Sequence, residues 1–311
     1  MTTAPAVLTV ADRGARRARS GRPGRARSRH YLYLVPGFAL YAAFTLAPLV
    51  QTIQYSFYDW DGITEATWAG VDNYVAVITD PVSRSTFGHS IVFIFFYTVL
   101  PTIIGLLIVA VMSRVRIRFL TVFRTVLFLP QILATVVIAV AWRWIFAQDG
   151  PINAILDLLS LGALSRAWLG DFATALPAVG LIGTWIMYGL CMVLFVGGVQ
   201  KIPVELYEAA RIDGAGPVRE FFSVTLPGLR GEISIALVLT VTNALRNFDI
   251  VWNTTSGGPG TSTLVPSYLI YEGAFVTREV GFAAAASVVL TLLILVITGA
   301  ITRLLRSGAD R

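Results

Sequence analysis

Residues Lys201–Glu232 read KIPVELYEAARIDGAGPVREFFSVTLPGLRGE, a charged, glycine-punctuated stretch set between two apolar runs. The run before it, within Phe172–Gln200, carries no charge at all. The run after it starts at Ile233, reaches about Thr254 and contains Arg246 and Asp249. A helix needs about 20 apolar residues to cross the hydrocarbon of a bilayer. Both runs are that long, so the quoted stretch is a polar link lying outside lipid between two crossings. Pro203 suits a first helical position, and Glu205 favours the positive end of that helix. Leu206, Ala209, Ala210 and Asp213 then fall along one side at helical spacing. Gly214 and Gly216 stop the helix, and Pro217 starts a second one through Phe221 and Phe222. Leu226-Pro227 leads into the next crossing. Small residues at Ala209 and Ala210 let another surface come close. Two uses fit: a docking knob that transmits force into two spans, or an amphipathic linker lying on the membrane.

Working outward, four more runs have spanning length: Tyr31–Tyr58, Ser90–Met112, Thr121–Trp142 with Arg124 near its start, and Val280–Thr302. Six crossings are expected. Of the 311 residues, 56% are hydrophobic and only 14% charged, against roughly 25% charged in a soluble domain. That surface is too apolar for water and suits lipid. Cytoplasmic links concentrate Lys and Arg. With the N-terminus inside, 19 of the 24 basic residues fall on the cytoplasmic pieces: the arm, the link with Arg114, Arg116, Arg118 and Arg124, the Lys201–Arg230 link, and the tail with Arg303, Arg306 and Arg311. Both termini are therefore placed in the cytoplasm. The expected layout is a disordered basic arm over 1–30, an all-α six-helix membrane domain over 31–306 with its link at 201–230, and a short tail over 307–311. The eight arginines between Arg13 and Arg29 explain the net charge of +6. They point to anionic lipid headgroups rather than nucleic acid. Tyr55, Phe57, Tyr58, Trp60, Trp68, Trp142, Trp144 and Trp168 flank outer links, where aromatic rings anchor at the headgroup level.

The link resembles the cytoplasmic-loop signature of binding-protein-dependent ATP-binding-cassette importers: Glu-Ala-Ala, three residues, Gly, nine residues, then Ile, any residue, Leu-Pro. Here Glu208-Ala209-Ala210, Gly214, and Val224-Thr225-Leu226-Pro227 stand at that spacing, with Val224 for the usual Ile. Asp213-Gly214-Ala215 matches as well. Leu34-Val35-Pro36 and Pro48, the Gly150, Ile152 and Asn153 group, FDIVWNTTSGGPGTST from Phe248 to Thr263, and the Gly281, Ala284, Ala285 and Ser287 region extend the likeness over most of the chain beyond the arm. They are most similar to the carbohydrate-uptake branch of the maltose or glycerol-phosphate type. The resemblance implies a multi-pass subunit of the cell membrane that hydrolyses nothing itself. ATP and Mg would sit on a separate ATPase dimer, docked through Glu208, Ala209, Ala210, Asp213, Gly214, Ala215, Leu226 and Pro227. A second permease subunit in a heterodimer, an extracytoplasmic solute-binding protein and a sugar or sugar-like solute complete the implied assembly. The residues agree on the ATPase: the sole lysine, Lys201, is followed by Ile202, and a phosphate-binding loop needs Gly-Lys followed by Ser or Thr.

Inside the fifth run, Asn243, Arg246, Asn247, Asp249, Asn253 and Thr254 are polar at a depth where a single charge costs roughly 2.5–3.5 kcal/mol. Asn243, Arg246 and Asn247, Ile250, and Asn253 with Thr254 follow helical spacing on one side. Arg246 and Asp249, three residues apart, are placed to neutralise each other in part. This side is expected to face a solute pathway or a neighbouring helix. Trp185 and Tyr188 of the fourth run offer either sugar-stacking rings or bundle packing, and Gly180, Gly183 and Gly189 allow close helix approach. A secondary transporter is the rival class, and within the family a glycerol-phosphate or polyol permease is the alternative. Such a transporter tends to carry mid-membrane coupling carboxylates and internal repeats; Asp249 alone qualifies. One cysteine, Cys191, and two distant histidines, His30 and His89, give neither a disulfide framework nor metal-ligand spacing.

Overall fold

The computed structural model describes residues 32–112 and 120–306. The basic arm, Arg114, Arg116 and Arg118 of the link before the third run, and the 307–311 tail lie outside the described residues. Contacts divide the chain into two units that meet between Val50 and Gln51. The first unit is helical as far as it is described: a short turn at Leu32–Leu34 leads into helix α1, Val35–Tyr55.

After α1 the second unit continues with a two-residue ribbon, β1 (Tyr58–Asp59) paired antiparallel to β2 (Thr67–Trp68), and a short helix α2 (Asp72–Thr79). Asn73 of α2 donates from its amide to the carbonyls of Ser56 and Tyr58 at 3.0 and 2.9 Å, which fixes the ribbon. Helix α3, Pro81–Met112, starts with Pro81 at its first position and Asp80 as its cap, the Asp80 carboxylate accepting from Ser83 N at 2.7 Å. Its 32 residues reach about 48 Å at the α-helical rise, more than the bilayer core requires.

The third run does not form one helix. It divides into α4 (Leu120–Ile132) and α5 (Thr135–Ile145), bent by 95°. Pro130 withholds a backbone donor near the end of α4, and Ala134 is extended, so the ladder cannot continue. Helix α6 (Pro151–Leu158) precedes α7 (Ala175–Val199). Then come α8 (Val204–Ile212), α9 (Pro217–Gly228), α10 (Arg230–Leu245), α11 (Asp249–Thr254), α12 (Pro266–Phe275) and α13 (Val280–Arg306). Among the described residues, four helices (α1, α3, α7 and α13) are long and apolar enough to cross a membrane by themselves. The count rises to six if the bent pairs α4–α5 and α9–α10 each make one span.

Helix α7 is the most enclosed of the long helices. Its small residues explain why. The face containing Gly180 and Gly183 receives Phe96 and Tyr97 of α3 so closely that a Cβ at Gly183 would overlap the Tyr97 ring. Thr184, next in line, donates its hydroxyl to Phe96 O at 2.6 Å. Phe93, Tyr97, Val179, Ile182, Val251 and Val265 form the main core around this contact. Outward positions stay apolar: Ile91, Leu107 and Val111 on α3, and Leu292, Leu295 and Val296 on α13, are all exposed. An apolar rim around an apolar core is the pattern that lipid, not water, accommodates.

The connection between α5 and α7 is built on a single amide. Asn153 is 2% exposed. Its Nδ2 donates to Ala147 O, Gln148 O and Arg166 O, and its Oδ1 accepts from Trp168 Nε1 at 2.8 Å and from Arg166 N. Asn153→Ala leaves these groups unpaired and is expected to cost about 3 kcal/mol, since each stranded buried partner costs roughly 1–3 kcal/mol. Thermal unfolding in detergent checks it: an unchanged midpoint would contradict the role.

Candidate functional site

Two regions collect the polar residues singled out in the sequence. The first is the link after α7. Helix α8 ends at Ile212, with Asp213 as its C-terminal cap residue. Gly214 takes φ +76°, a left-handed conformation that a side chain resists. Gly214 N then bonds Arg211 O at 3.0 Å and Ala215 N bonds Ala210 O at 2.9 Å, closing the helix end. Pro217 starts α9, which bends by 69° at the buried Leu229 into α10. At the base, the Lys201 ammonium meets the Glu232 carboxylate at 2.9 Å and joins the end of α7 to the start of α10.

The side of α8 that faces α9 carries Tyr207 and Arg211. The Tyr207 hydroxyl lies 3.2 Å from Thr225 Oγ1, and Arg211 Nε donates to Glu220 Oε2 at 2.9 Å. Glu220 and Thr225 are buried. The Glu220 hydrogen bond and then its charge hold the Arg211 guanidinium above its ordinary pKa, with Glu208 adding to the effect. Glu208, Ala209 and Asp213 stay exposed, together with Val204, Leu206 and Ile212, the last 86% exposed. Ala210, expected on one side with Leu206 and Ala209, is half-buried, because the packed side of α8 is set by Tyr207 and Arg211. Leu226 is half-buried, and Pro227 is exposed at the edge of a cleft with Gly198, Ile202 and Leu206.

The second region is a cavity of about 180 Å³ where α3, α4, α5 and α7 meet the break in the fifth run. Helix α10 stops at Leu245 and α11 restarts at Asp249, so Arg246, Asn247 and Phe248 are not helical. The break explains two departures from the sequence pattern. Asn243, Arg246, Asn247, Asp249 and Ile250 all line the cavity, but the helical face does not continue to Thr254, which is buried in packing. Arg246 and Asp249 form no ion pair among the described residues, because the i, i+3 geometry that would bring them together is lost at the break. Asn253 turns away and donates to Asp249 O at 2.8 Å.

Trp185 packs edge-on against Trp142, ring centroids 5.7 Å apart. Neither it nor Tyr188 lines the cavity; Ile186 and Met187 do. Tyr97, Gln131 and Thr135 line it too and were missed in the sequence. Gln131 left a signal, as the one amide in the run Thr121–Trp142. Three buried polar atoms of the wall, the Tyr97 hydroxyl, Gln131 Oε1 and Asn247 Nδ2, make no hydrogen bond of normal geometry within the protein. The Tyr97 hydroxyl is near enough to interact with the Asn247 side chain, yet the two stop short of a proper bond. Most buried polar groups in proteins are paired, so these three leave hydrogen-bonding capacity unused on the cavity wall.

Comparison with known proteins sets these features in context. The family model described as "Binding-protein-dependent transport system inner membrane component" matches residues 31–310. The probable ABC transporter permease protein YurN of Bacillus subtilis (strain 168) is 33% identical over 283 residues, spanning 90% of this chain and 97% of its own. The diacetylchitobiose uptake system permease protein NgcF of Streptomyces coelicolor is 30% identical over 312 residues, spanning 94% and 88%. Among solved structures, a bacterial ABC transporter involved in import of the acidic polysaccharide alginate superposes with a TM-score of 0.77 at 19% identity, over 90% of this chain and 96% of that one.

Proposed function

Because the chain belongs to the family of binding-protein-dependent transport system inner membrane components, we propose that it is a membrane-spanning subunit of an importer for a sugar or sugar-like solute, powered by a separate ATPase dimer. The outward side of α8 carries the proposal. A helix in a hydrophilic loop that leaves Val204, Leu206 and Ile212 uncovered beside Glu208 and Ala209 has the composition of a contact surface. In this reading the pairs α4–α5 and α9–α10 complete six crossings, both termini are cytoplasmic, and α8 couples crossings four and five to the ATPase. A second permease subunit lies alongside, and a loaded extracytoplasmic binding protein docks on the far side. ATP and that binding protein shift the spans from inward-facing to outward-facing only through their higher affinity for the second state.

The cavity at the break of the fifth run is the proposed solute path. Its unpaired hydroxyl and amides, with Arg246 as donor and Asp249 as acceptor, match the hydroxyls of a sugar. The names of relatives such as the diacetylchitobiose permease support that class of solute.

The test uses the purified importer in vesicles, with the solute chosen by thermal shift of the cognate binding protein. Uptake is expected to follow ATP on the cytoplasmic side. Asn247→Ala is expected to raise the half-saturating concentration about fivefold, the equivalent of one net hydrogen bond of roughly 1 kcal/mol. Uptake driven by a proton or sodium gradient without ATP would mean a secondary transporter instead. An unchanged half-saturation would remove Asn247 from the path.

A further inference from the structure

We infer that Glu220, which belongs to no part of the loop signature, is the positioning residue that turns the docking helix into a rigid lever. The inference rests on the docking reading above and adds the part that makes docking productive.

Helix α8 has only nine residues, and a peptide of that length is not a stable helix on its own. It is tied to the rest of the loop at its end by a turn through Gly214, whose left-handed backbone closes the helix but is an intrinsically permissive link. Backbone alone would let α8 swing about that turn. Two side-chain bolts on one side prevent it. Tyr207 and Arg211 are four residues apart and so project from the same side. One reaches Thr225 and the other Glu220, both on α9.

The two bolts differ in kind. The hydroxyl pair is neutral. The Arg211–Glu220 pair joins a mostly exposed guanidinium to a carboxylate only 9% exposed. A carboxylate withdrawn from water is tolerated when a cation and hydrogen bonds compensate it, and becomes a strong source of disruption when they are removed. Each charge also sits at the helix end that suits it, Glu220 in the first turn of α9 and Arg211 in the last turn of α8. With α8 held in this way, Glu208, Ala209 and Ile212 point outward together. Any push on them passes through Glu220 and Thr225 into α9, round the bend at Leu229, and along α10 to Asn243 and Arg246 at the cavity. The Lys201–Glu232 pair holds the root of that path against α7. Glu220 touches neither solute nor the proposed ATPase; it acts through Arg211.

The experiment compares Arg211→Glu, Glu220→Arg and the double exchange in the complete importer reconstituted with its ATPase and binding protein. Each single reversal puts two like charges together. The amides of 205–212 are then expected to exchange hydrogen at least tenfold faster, and ATP hydrolysis stimulated by the loaded binding protein to fall at least tenfold, while the ATPase still co-purifies. The double exchange restores opposite charges and is expected to recover both readouts to within about threefold, the shortfall reflecting the new carboxylate beside Glu208. Rescue is the outcome that a merely fold-supporting residue would not give. Single reversals that exchange and couple like wild type would overturn the lever, as would a double exchange as impaired as either single. Should the reversals fail to insert, Glu220→Gln decides: it keeps the shape and one hydrogen bond without the charge. A several-fold drop in stimulated hydrolysis is expected, and none would overturn the inference. An ATPase that does not co-purify with the wild-type chain would sink the docking reading itself, a distinct result.

Discussion

Ala209→Arg is expected to abolish uptake, by a hundredfold or more, in a protein that still folds and inserts. The argument turns on where Ala209 lies. It is exposed on the outward side of α8, between Glu208 and Ile212. No hydrogen bond or ion pair described above uses its side chain, and the bolts to α9 leave from the other side. Exposed substitutions of that kind normally change stability by no more than about 0.5 kcal/mol. A docked ATPase, by contrast, would meet a long charged side chain where a methyl group had been, and would have to strip water from the guanidinium or stand off from it. Charge misplaced in an interface costs several kcal/mol, and each 1.4 kcal/mol is tenfold in affinity. The loss is therefore expected in binding, not in folding. Uptake into vesicles, retention of the ATPase on the tagged chain and the thermal midpoint are to be measured on one preparation. Ala209→Ser, which adds a single oxygen, serves as the tolerated control. Normal uptake by Ala209→Arg would show that this side of α8 faces nothing. Ala210→Arg is a poorer test, because Ala210 is half-buried and a change there would confuse docking with packing.

The sequence read best where a physical rule had room to repeat. Crossings α3, α7 and α13 follow from uncharged length alone, and the link at 201–230 from its charges and its glycines. The turn at Gly214 was legible because few residues other than glycine accept φ +76°. The breaks were not legible. Pro130 gave warning of a bend in the third run, but the 95° turn depends on Ala134 becoming extended, which no local preference of alanine dictates. In the fifth run, a pattern with helical spacing from Asn243 to Thr254 suggested a continuous polar side. The chain stops being helical at Arg246, and the cavity is made where the pattern fails. Periodicity cannot report its own interruption. Glu220 was passed over for a related reason: a lone carboxylate in a charged loop looks solvated, and only the fold of α9 against α8 withdraws it from water. Trp185 shows the opposite case, a residue with the right chemistry for sugar that packing has already engaged against Trp142.

The largest effect on the fold itself is expected at Gly183. Tyr97 lies 3% exposed within the wider helical turn Phe95–Val99 of α3, and its ring occupies the space a side chain at Gly183 would need. The neighbouring position Gly180 is filled in the same way by Phe96. The ring cannot retreat easily, since Phe93 and Ile182 belong to the same packed cluster and Thr184 ties Phe96 O to α7. Overpacking a core usually costs about 1–3 kcal/mol, occasionally more. Gly183→Val, which adds a branched group directly against the ring, is expected at or above the top of that range. Loss of most folded protein and a midpoint lowered by about 5 °C or more should follow, as 1 kcal/mol shifts the midpoint of a chain this long by roughly 2 °C. Tyr97→Ala alone should also destabilise, by leaving a void. The two errors are complementary in shape, so the double variant should be more stable than Gly183→Val by itself, an interaction of opposite sign to simple addition. Yet Tyr97 also lines the polar cavity, so a double variant that regains its fold should still take up solute poorly. Separating recovered stability from unrecovered transport would assign the glycine to packing and the phenol to the path. If the losses in the double variant merely add, Tyr97 does not fill the place of the missing side chain, and the close contact of α3 with α7 is not what holds the cavity wall.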